Sequence, residues 1–266
     1  MSLALLYFVK APQPGQVKSR LARSIGIEAA TALYDWSGRE TCDRLRTWLT
    51  PHRARGLSPL STEPGATDSG ATDSGATEIG ATTLGPADLW VFYSPAEAAD
   101  DVATWLAWAD RDRLIPQHSG DLGDRLAAAF DLAWQRGYDR AIVLGSDSPD
   151  LPLDRLDRAA QSQADAAIVP TADGGYCLLA WQRSAYTDAA FRAMPWSTSV
   201  VAEQTIAAIT DAGRSIDVLE PWFDLDELAD LRAWLVRDPS PQERSRRRAI
   251  VCLLYTSPSP RDRTRS

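Results

Sequence analysis

The stretch LALLYFVKAPQPGQVKSRL, residues 3–21, decides the architecture. Its first seven residues, Leu3 to Val9, form an unbroken apolar run, too short for a buried helix and typical of a β-strand covered on both faces. A stiff loop with two prolines and a glycine follows, and helical periodicity then runs from about Val17 to Leu49. Working outward, further strands are expected at Leu89 to Tyr93, Arg113 to Pro116, Ala141 to Gly145, Ala166 to Val169, Tyr176 to Trp181 and near Ile216 to Leu219. Helices are expected over Ala96 to Ala109, Asp121 to Arg136, Val200 to Ala212 and Leu225 to Val236, with another starting near Leu153. This alternation predicts an α/β fold: one doubly wound, mostly parallel sheet with helices on both faces. Ligands of such sheets bind beyond the carboxyl ends of the strands, so chemistry is to be sought there.

Composition narrows the function classes. With 266 residues, 44% apolar and 24% charged, the chain can build one full-sized core. The formal charge is −8, but the tail from Arg244 onward carries a net +6, which leaves about −14 on the body. An acidic body argues against nucleic-acid binding, which depends on neutralising phosphates with Lys and Arg. An acidic protein that handles phosphates calls for a divalent cation between the two. Cys42, Cys177 and Cys252 have no C-x-x-C spacing and read as buried thiols of a reducing cytoplasm. The start has no basic n-region or cleavage site, and no apolar run approaches membrane-spanning length. The expected organisation is one domain over residues 1–238, interrupted at about 55–87 by a low-complexity insertion, and a tail over 239–266. Within the insertion, GATDSGATDSGATEIGATTLG is a near-regular five-residue repeat with too few large apolar side chains to order itself. The tail is rich in Arg and Pro, and CLLYTSPSPRD within it resembles translated sequencing-adapter sequence, so no function is expected of it; the rival reading is a basic interaction tail.

Cations and carboxylates then mark candidate chemistry. The chain has 26 arginines but only two lysines, Lys10 and Lys18, and both lie in the loop after the first strand. A lysine is a compact point charge, and a strand-to-helix loop offers free backbone N–H groups, so Lys10, Gly15, Lys18 and Arg20 are candidates for binding a phosphate group. GQVKS lacks the first glycine and the spacing of a P-loop. The expected strand Ala141 to Leu144 runs into GSDSPDLP, which places Asp147 at a strand end where a carboxylate can hold Mg²⁺ or Mn²⁺. Asp150 is read as a turn or helix-capping residue, and Asp121 in GDLGDRL as an N-cap. In TADGGYCLLAW, Gly174 and Gly175 permit a close backbone approach, while Asp173 faces the same edge. Trp196 in PWSTS is available as a pocket wall. In WFDLDEL, one of Asp224 and Asp226 is expected to cap a helix and the other to complete the metal site.

FVKAPQPGQVKSRLA, GDLGDRL, GSDSPDLP, TADGGYCLLAW, MPWSTS and FDLDE, in this order, resemble an uncharacterised bacterial glycosyltransferase-A-like family, some members of which are labelled arsenosugar-biosynthesis glycosyltransferases. The same fold is similar to nucleotidyltransferases of the molybdenum-cofactor type. The resemblance covers roughly Ser2 to Leu235 and implies a nucleotide-diphospho-sugar transferase domain. It implies that Lys10, Gly15, Lys18 and Arg20 serve the nucleotide phosphates, that Asp147 binds metal, and that Asp173, Gly174, Gly175 and Tyr176 lie on the acceptor side with Trp196. This chain has S-D-S in place of the D-x-D of many glycosyltransferases, so a second ligand must come from elsewhere, and Asp226 is the candidate.

The leading expectation is a metal-dependent, cytoplasmic glycosyltransferase that takes a nucleotide-sugar and a small acceptor, with Lys18 stabilising the leaving group and Asp173 as general base. Two alternatives stay open: transfer of a nucleotidyl group from an NTP to a phosphorylated acceptor, and a non-catalytic nucleotide-binding module.

Overall fold

The structure is a computed structural model that describes residues 1–54, 86–107 and 110–237. The five-residue repeat and the arginine-rich tail lie outside the described residues. The helix expected to reach Ala109 stops at Trp105, with Leu106 as its C-cap and Ala107 at φ 47°. Ala87, placed at the insertion's end by the sequence reading, already belongs to a strand.

Seven strands form one sheet: β1 (Leu3–Lys10), β2 (Ala87–Ser94), β3 (Leu114–Pro116), β4 (Arg140–Gly145), β5 (Ala166–Pro170), β6 (Tyr176–Gln182) and β7 (Ile216–Val218). Their order is β3-β2-β1-β4-β6-β5-β7. Every pairing is parallel except those of β6, which runs antiparallel to both β4 and β5. The mostly parallel expectation therefore holds, and the exception has a simple cause. Only residues 171–175 separate β5 from β6, and a parallel connection needs a dozen or more residues.

The helices are α1 (Ser19–Ile25), α2 (Ile27–Ala54), α3 (Ala99–Trp105), α4 (Leu122–Gln135), α5 (Leu153–Gln161), α6 (Val201–Asp211) and α7 (Leu228–Val236). The single helix expected from Val17 is divided at Gly26, whose φ of 92° ends α1 while its N–H still closes on the Ala22 carbonyl. Asp121 caps α4 in a reciprocal capping box with Asp124, as the sequence suggested. At α7 the expectation fails. Glu227 is the N-cap, with Asp230 as its capping-box partner, so neither Asp224 nor Asp226 is consumed by the helix end.

The strand period of two sorts β1 between two cores. Leu3, Leu5, Tyr7 and Val9 pack with α2, α3 and α5; Ala4 and Leu6 pack with α4 and with Ile209 of α6. Beyond α2, Leu21, Leu33, Leu225, Leu231 and Trp234 form a third cluster that ties α1 and α7 to its outer face. Cys42 and Cys177 are buried free thiols.

The apolar run predicts that the fourth strand begins at Ala141. The strand instead begins at Arg140, which is fully buried. Its guanidinium donates to the carbonyls of Ala159 (2.7 Å), Ser162 (2.8 Å) and Ala164 (3.2 Å), groups left open where α5 ends. Burial lowers its pKa, and the charges of Asp217 and Asp165 oppose that shift.

The chain winds outward from β1 through β2 to β3, then returns to β4 on the other side of β1. Strand order thus reverses between β1 and β4, the place where open α/β sheets form their ligand crevice. Phe8 pairs with Gly145, so the loop after β1 and the turn after β4 leave the sheet side by side. Arg140→Met should keep the aliphatic packing but strand the carbonyls of Ala159 and Ser162, while that of Ala164 keeps the Gln182 amide as donor, lowering stability by about 3 kcal/mol in urea unfolding.

Candidate active site at the carboxyl edge of β1 and β4

Lys18 is the N-cap of α1 and adopts φ 49°, ψ 43°, a left-handed conformation that costs a residue with a Cβ about 1–2 kcal/mol. Its side chain is only 3% exposed, and Nζ lies 2.5 Å from Asp147 Oδ1 and 2.8 Å from Asp226 Oδ1. Burial alone would pull the pKa of this ammonium down, but the two carboxylates outweigh it and hold the pKa above the ordinary lysine value. Three separate loops therefore converge on one buried cation. Gly15 supplies a φ of 78° in the loop before it, with open space around its α-carbon, so glycine is needed there for conformation and not for close approach.

The turn after β4 is held from below. Ser37 of α2 donates to the Ser146 carbonyl at 2.6 Å, and Ser146 Oγ donates to the Tyr34 hydroxyl at 2.9 Å. That hydroxyl also accepts the Lys10 backbone N–H at 2.8 Å, which links the ends of β1 and β4. Burial and the charge of Asp147 push the Tyr34 phenol up to about 12, so it stays protonated. From above, the Asp147 carbonyl accepts the Leu225 N–H at 2.9 Å, and Ser148 Oγ contacts both the Phe223 carbonyl and Asp224 Oδ1. Asp224 is pushed up to about 7, first by burial and then by the charge of Asp147.

The remaining sequence candidates fall in three places. Lys10, the last residue of β1, and Arg20, in the first turn of α1, are exposed at the two ends of the loop, and Arg20 sits 3.7 Å from Glu227 across the rim. Asp173 Oδ1 accepts from Thr171 Oγ1 (2.6 Å) and the Gly175 N–H (3.2 Å), so one oxygen is engaged in its own turn. Gly174 has φ 88°, and a Cβ there would lie 1.9 Å from the Ser199 carbonyl oxygen; its own carbonyl accepts the Ala202 N–H. The close approach that the glycines permit is thus to backbone at the start of α6. A Cβ on Gly175 would meet Thr171 Oγ1 at 3.2 Å. The Tyr176 hydroxyl is buried, and Trp196 lies half-buried against Gly123 of α4. Thr171 bridges to Trp222, which sets this turn beside the Asp224–Asp226 segment. The structure therefore gathers Lys18, Asp147 and Asp226 at one point, keeps Lys10, Arg20 and Asp173 exposed, and packs Gly174, Tyr176 and Trp196 into protein.

Asp150 does not cap α5, whose N-cap is Pro152; its carboxylate accepts the indole N–H groups of Trp222 and Trp234. Tyr34 and Ser148 escaped the sequence reading because nothing local distinguishes them from a core tyrosine and a turn serine.

The fit to a divalent ion can be judged from the donor set. Among the described residues no group of three or more His, Cys, Asp or Glu side chains stands ready to hold a metal. Two carboxylates do share one cation, the Lys18 ammonium, and Mg²⁺ or Mn²⁺ at phosphate sites is commonly held by one or two carboxylates with phosphate and water as its other ligands. Asp147 and Asp226 fit that pattern.

Sheet order, the antiparallel β6 and the carboxyl-edge cluster define an α/β protein of the nucleotide-diphospho-sugar transferase fold. The resemblance read from the sequence holds: residues 79–198 match the family model described as an uncharacterized protein conserved in bacteria (DUF2064). A solved structure from Desulfovibrio desulfuricans G20, assigned provisionally as a nucleotide-diphospho-sugar transferase, is similar over 96% of this chain and 98% of its own, with 26% identity and a TM-score of 0.74. A 4-diphosphocytidyl-2C-methyl-D-erythritol synthase is more distant, at 14% identity, 89% and 96% coverage and a TM-score of 0.45, and carries no further argument. No curated protein matches the sequence. Among the described residues no helix is long and apolar enough to cross a membrane.

Two outcomes follow from this geometry. Gly174→Ala forces a Cβ into backbone at a left-handed position and should lower stability by about 2 kcal/mol or more in urea unfolding. Asp224 titrates near 3.8 when unfolded and about 7 when folded, so between those values the folded chain binds the extra proton. Stability should therefore fall as pH rises from 4 to 7, and with a chelator present Asp224→Asn should remove that part of the slope.

Proposed function

We propose that this protein is a metal-dependent transferase that binds a nucleotide-diphospho-sugar through its diphosphate and passes the sugar to a small-molecule acceptor in the cytoplasm. The meeting of Lys18, Asp147 and Asp226 at the crevice between β1 and β4 carries this reading. The whole-length similarity to a protein assigned as a nucleotide-diphospho-sugar transferase supports it. Asp147 and Asp226 would hold Mg²⁺ or Mn²⁺, and the ion when bound supplies positive charge to diphosphate oxygens as the leaving group forms.

The chain's own residues supply the rest. Lys18 brings a positive charge that is itself buried to the edge of the crevice, where a partly desolvated point charge acts more strongly on a phosphate than it would in bulk solvent. Lys10 and Arg20, exposed at the two ends of the loop between β1 and α1, extend that positive charge toward solvent, where an incoming nucleotide arrives. Asp173 is exposed and binds its own turn through Oδ1, so Oδ2 serves as the general base toward an acceptor hydroxyl.

The test is a panel of nucleotide-sugars and NTPs assayed with Mg²⁺ or Mn²⁺. Release of a nucleoside diphosphate is expected, and release of pyrophosphate from an NTP would move the assignment to nucleotidyl transfer. Asp147→Asn should lower kcat/KM about 100-fold or more. Undiminished turnover in that variant would end the assignment of Asp147.

A further inference from the structure

We propose that Asp150 is a positioning residue: its carboxylate sets the segment carrying Asp224 and Asp226 against the turn carrying Asp147, and so fixes the distance at which Asp226 meets Lys18. The functional meaning rests on the reading above, but the geometry stands apart from it. Asp150 is only 7% exposed. Its Oδ1 accepts the Trp222 indole N–H at 3.3 Å, and its Oδ2 accepts that of Trp234 at 3.0 Å. Trp222 lies just before the acid-bearing segment and Trp234 lies near the far end of α7, the helix that follows it, so one side chain holds an element on either side of the segment. The Leu225 N–H on the Asp147 carbonyl and Ser148 Oγ on the Phe223 carbonyl fasten its middle.

A clamp positions only what it holds relative to something fixed, and Asp150 is itself fixed from the opposite side. Arg44 of α2 donates to the carbonyls of Pro149 (2.9 Å) and Leu151 (2.8 Å), the residues flanking Asp150. The carboxylate therefore transmits the placement of α2 and the sheet to a segment that has no strand of its own to align it. Arg237, 3.9 Å from Oδ2 and stacked over Phe223 and Trp222, places positive charge beside the buried carboxylate. The residue type is demanding. Two indole donors need two accepting oxygens, and an asparagine would turn its NH₂ toward one of them. Sites of this kind lose function on displacements of about 1 Å, so an anchor on either side of the segment matters for where Asp226 sits.

The two-lysine composition supplies a readout that needs no substrate. In full-length protein with ¹⁵N-labelled lysine, Lys18 should give a shielded ammonium signal with slow hydrogen exchange, and exposed Lys10 a fast one. Asp226→Asn marks the signature of a lost Lys18 contact. In Asp150→Asn, the Lys18 exchange rate should rise about tenfold or more and its shift should move toward that marker, the scale of one lost hydrogen bond to a charged group. Trp222→Phe and Trp234→Phe keep the ring and lose the donor, and each should produce a smaller change in the same direction. These two decide the matter if Asp150→Asn does not fold. A folded Asp150→Asn with lowered stability but an unchanged Lys18 signal overturns the proposal, as does an unchanged signal in both Phe variants. If the Lys18 signal responds as stated while no nucleotide or nucleotide-sugar binds, the transferase reading fails and the positioning role stands.

Discussion

One buried ammonium governs the working edge of this protein. Taking a lysine out of water costs several kcal/mol unless opposite charge meets it closely, and here two carboxylates from distant parts of the chain do so. The left-handed backbone at Lys18 is a further cost that persists only because the surroundings enforce it. The loop after β1, the turn after β4 and the segment before α7 must therefore arrive at one point. The strand order makes this possible, because β1 and β4 are neighbours although the chain visits β2 and β3 between them. A cation placed there also relieves the repulsion of Asp147 and Asp226, whose charges both act on the buried Asp224.

The short segment from Ser146 to Asp150 shows how densely such an edge is used. Ser146 faces α2 and Tyr34, Asp147 faces Lys18, Ser148 reaches Phe223 and Asp224, and Asp150 holds two tryptophans. Few of these groups point at open solvent, although the segment reads in sequence as an ordinary polar turn. Its polar side chains act as connectors between layers that apolar packing alone would leave free to slide, since dispersion contacts have little directional preference and hydrogen bonds have much.

What was legible in the sequence follows from range of interaction. The apolar run of β1, the amphipathic α4 and the Asp121 cap are local patterns, and all appeared where expected. The scarcity of lysine drew attention to Lys18, and the S-D-S departure to Asp226 beside Asp147; both carboxylates contact that lysine. Residues whose role is set across the fold stayed hidden. Arg140 falls outside the expected strand, because its three carbonyl partners lie at and just past the end of α5, remote in sequence. Asp150 looked like a cap because the indoles it accepts from lie more than seventy positions away. Gly174 looked like a ligand contact because nothing in TADGG announces the Ser199 backbone. The division at Gly26 and the cap at Glu227 were local signals overridden by a longer helical pattern on either side.

The margins of the sheet bear on a different property. Its middle strands are long and nearly all apolar, the kind of segment that adds to other chains when an edge lies open. Both outer strands are only three residues long: β3 ends in Pro116, which has no N–H to offer, and β7 carries the exposed Asp217 at its centre. Little free backbone remains at either border to template a fibril, so a stubby, interrupted rim guards a strongly aggregation-prone centre.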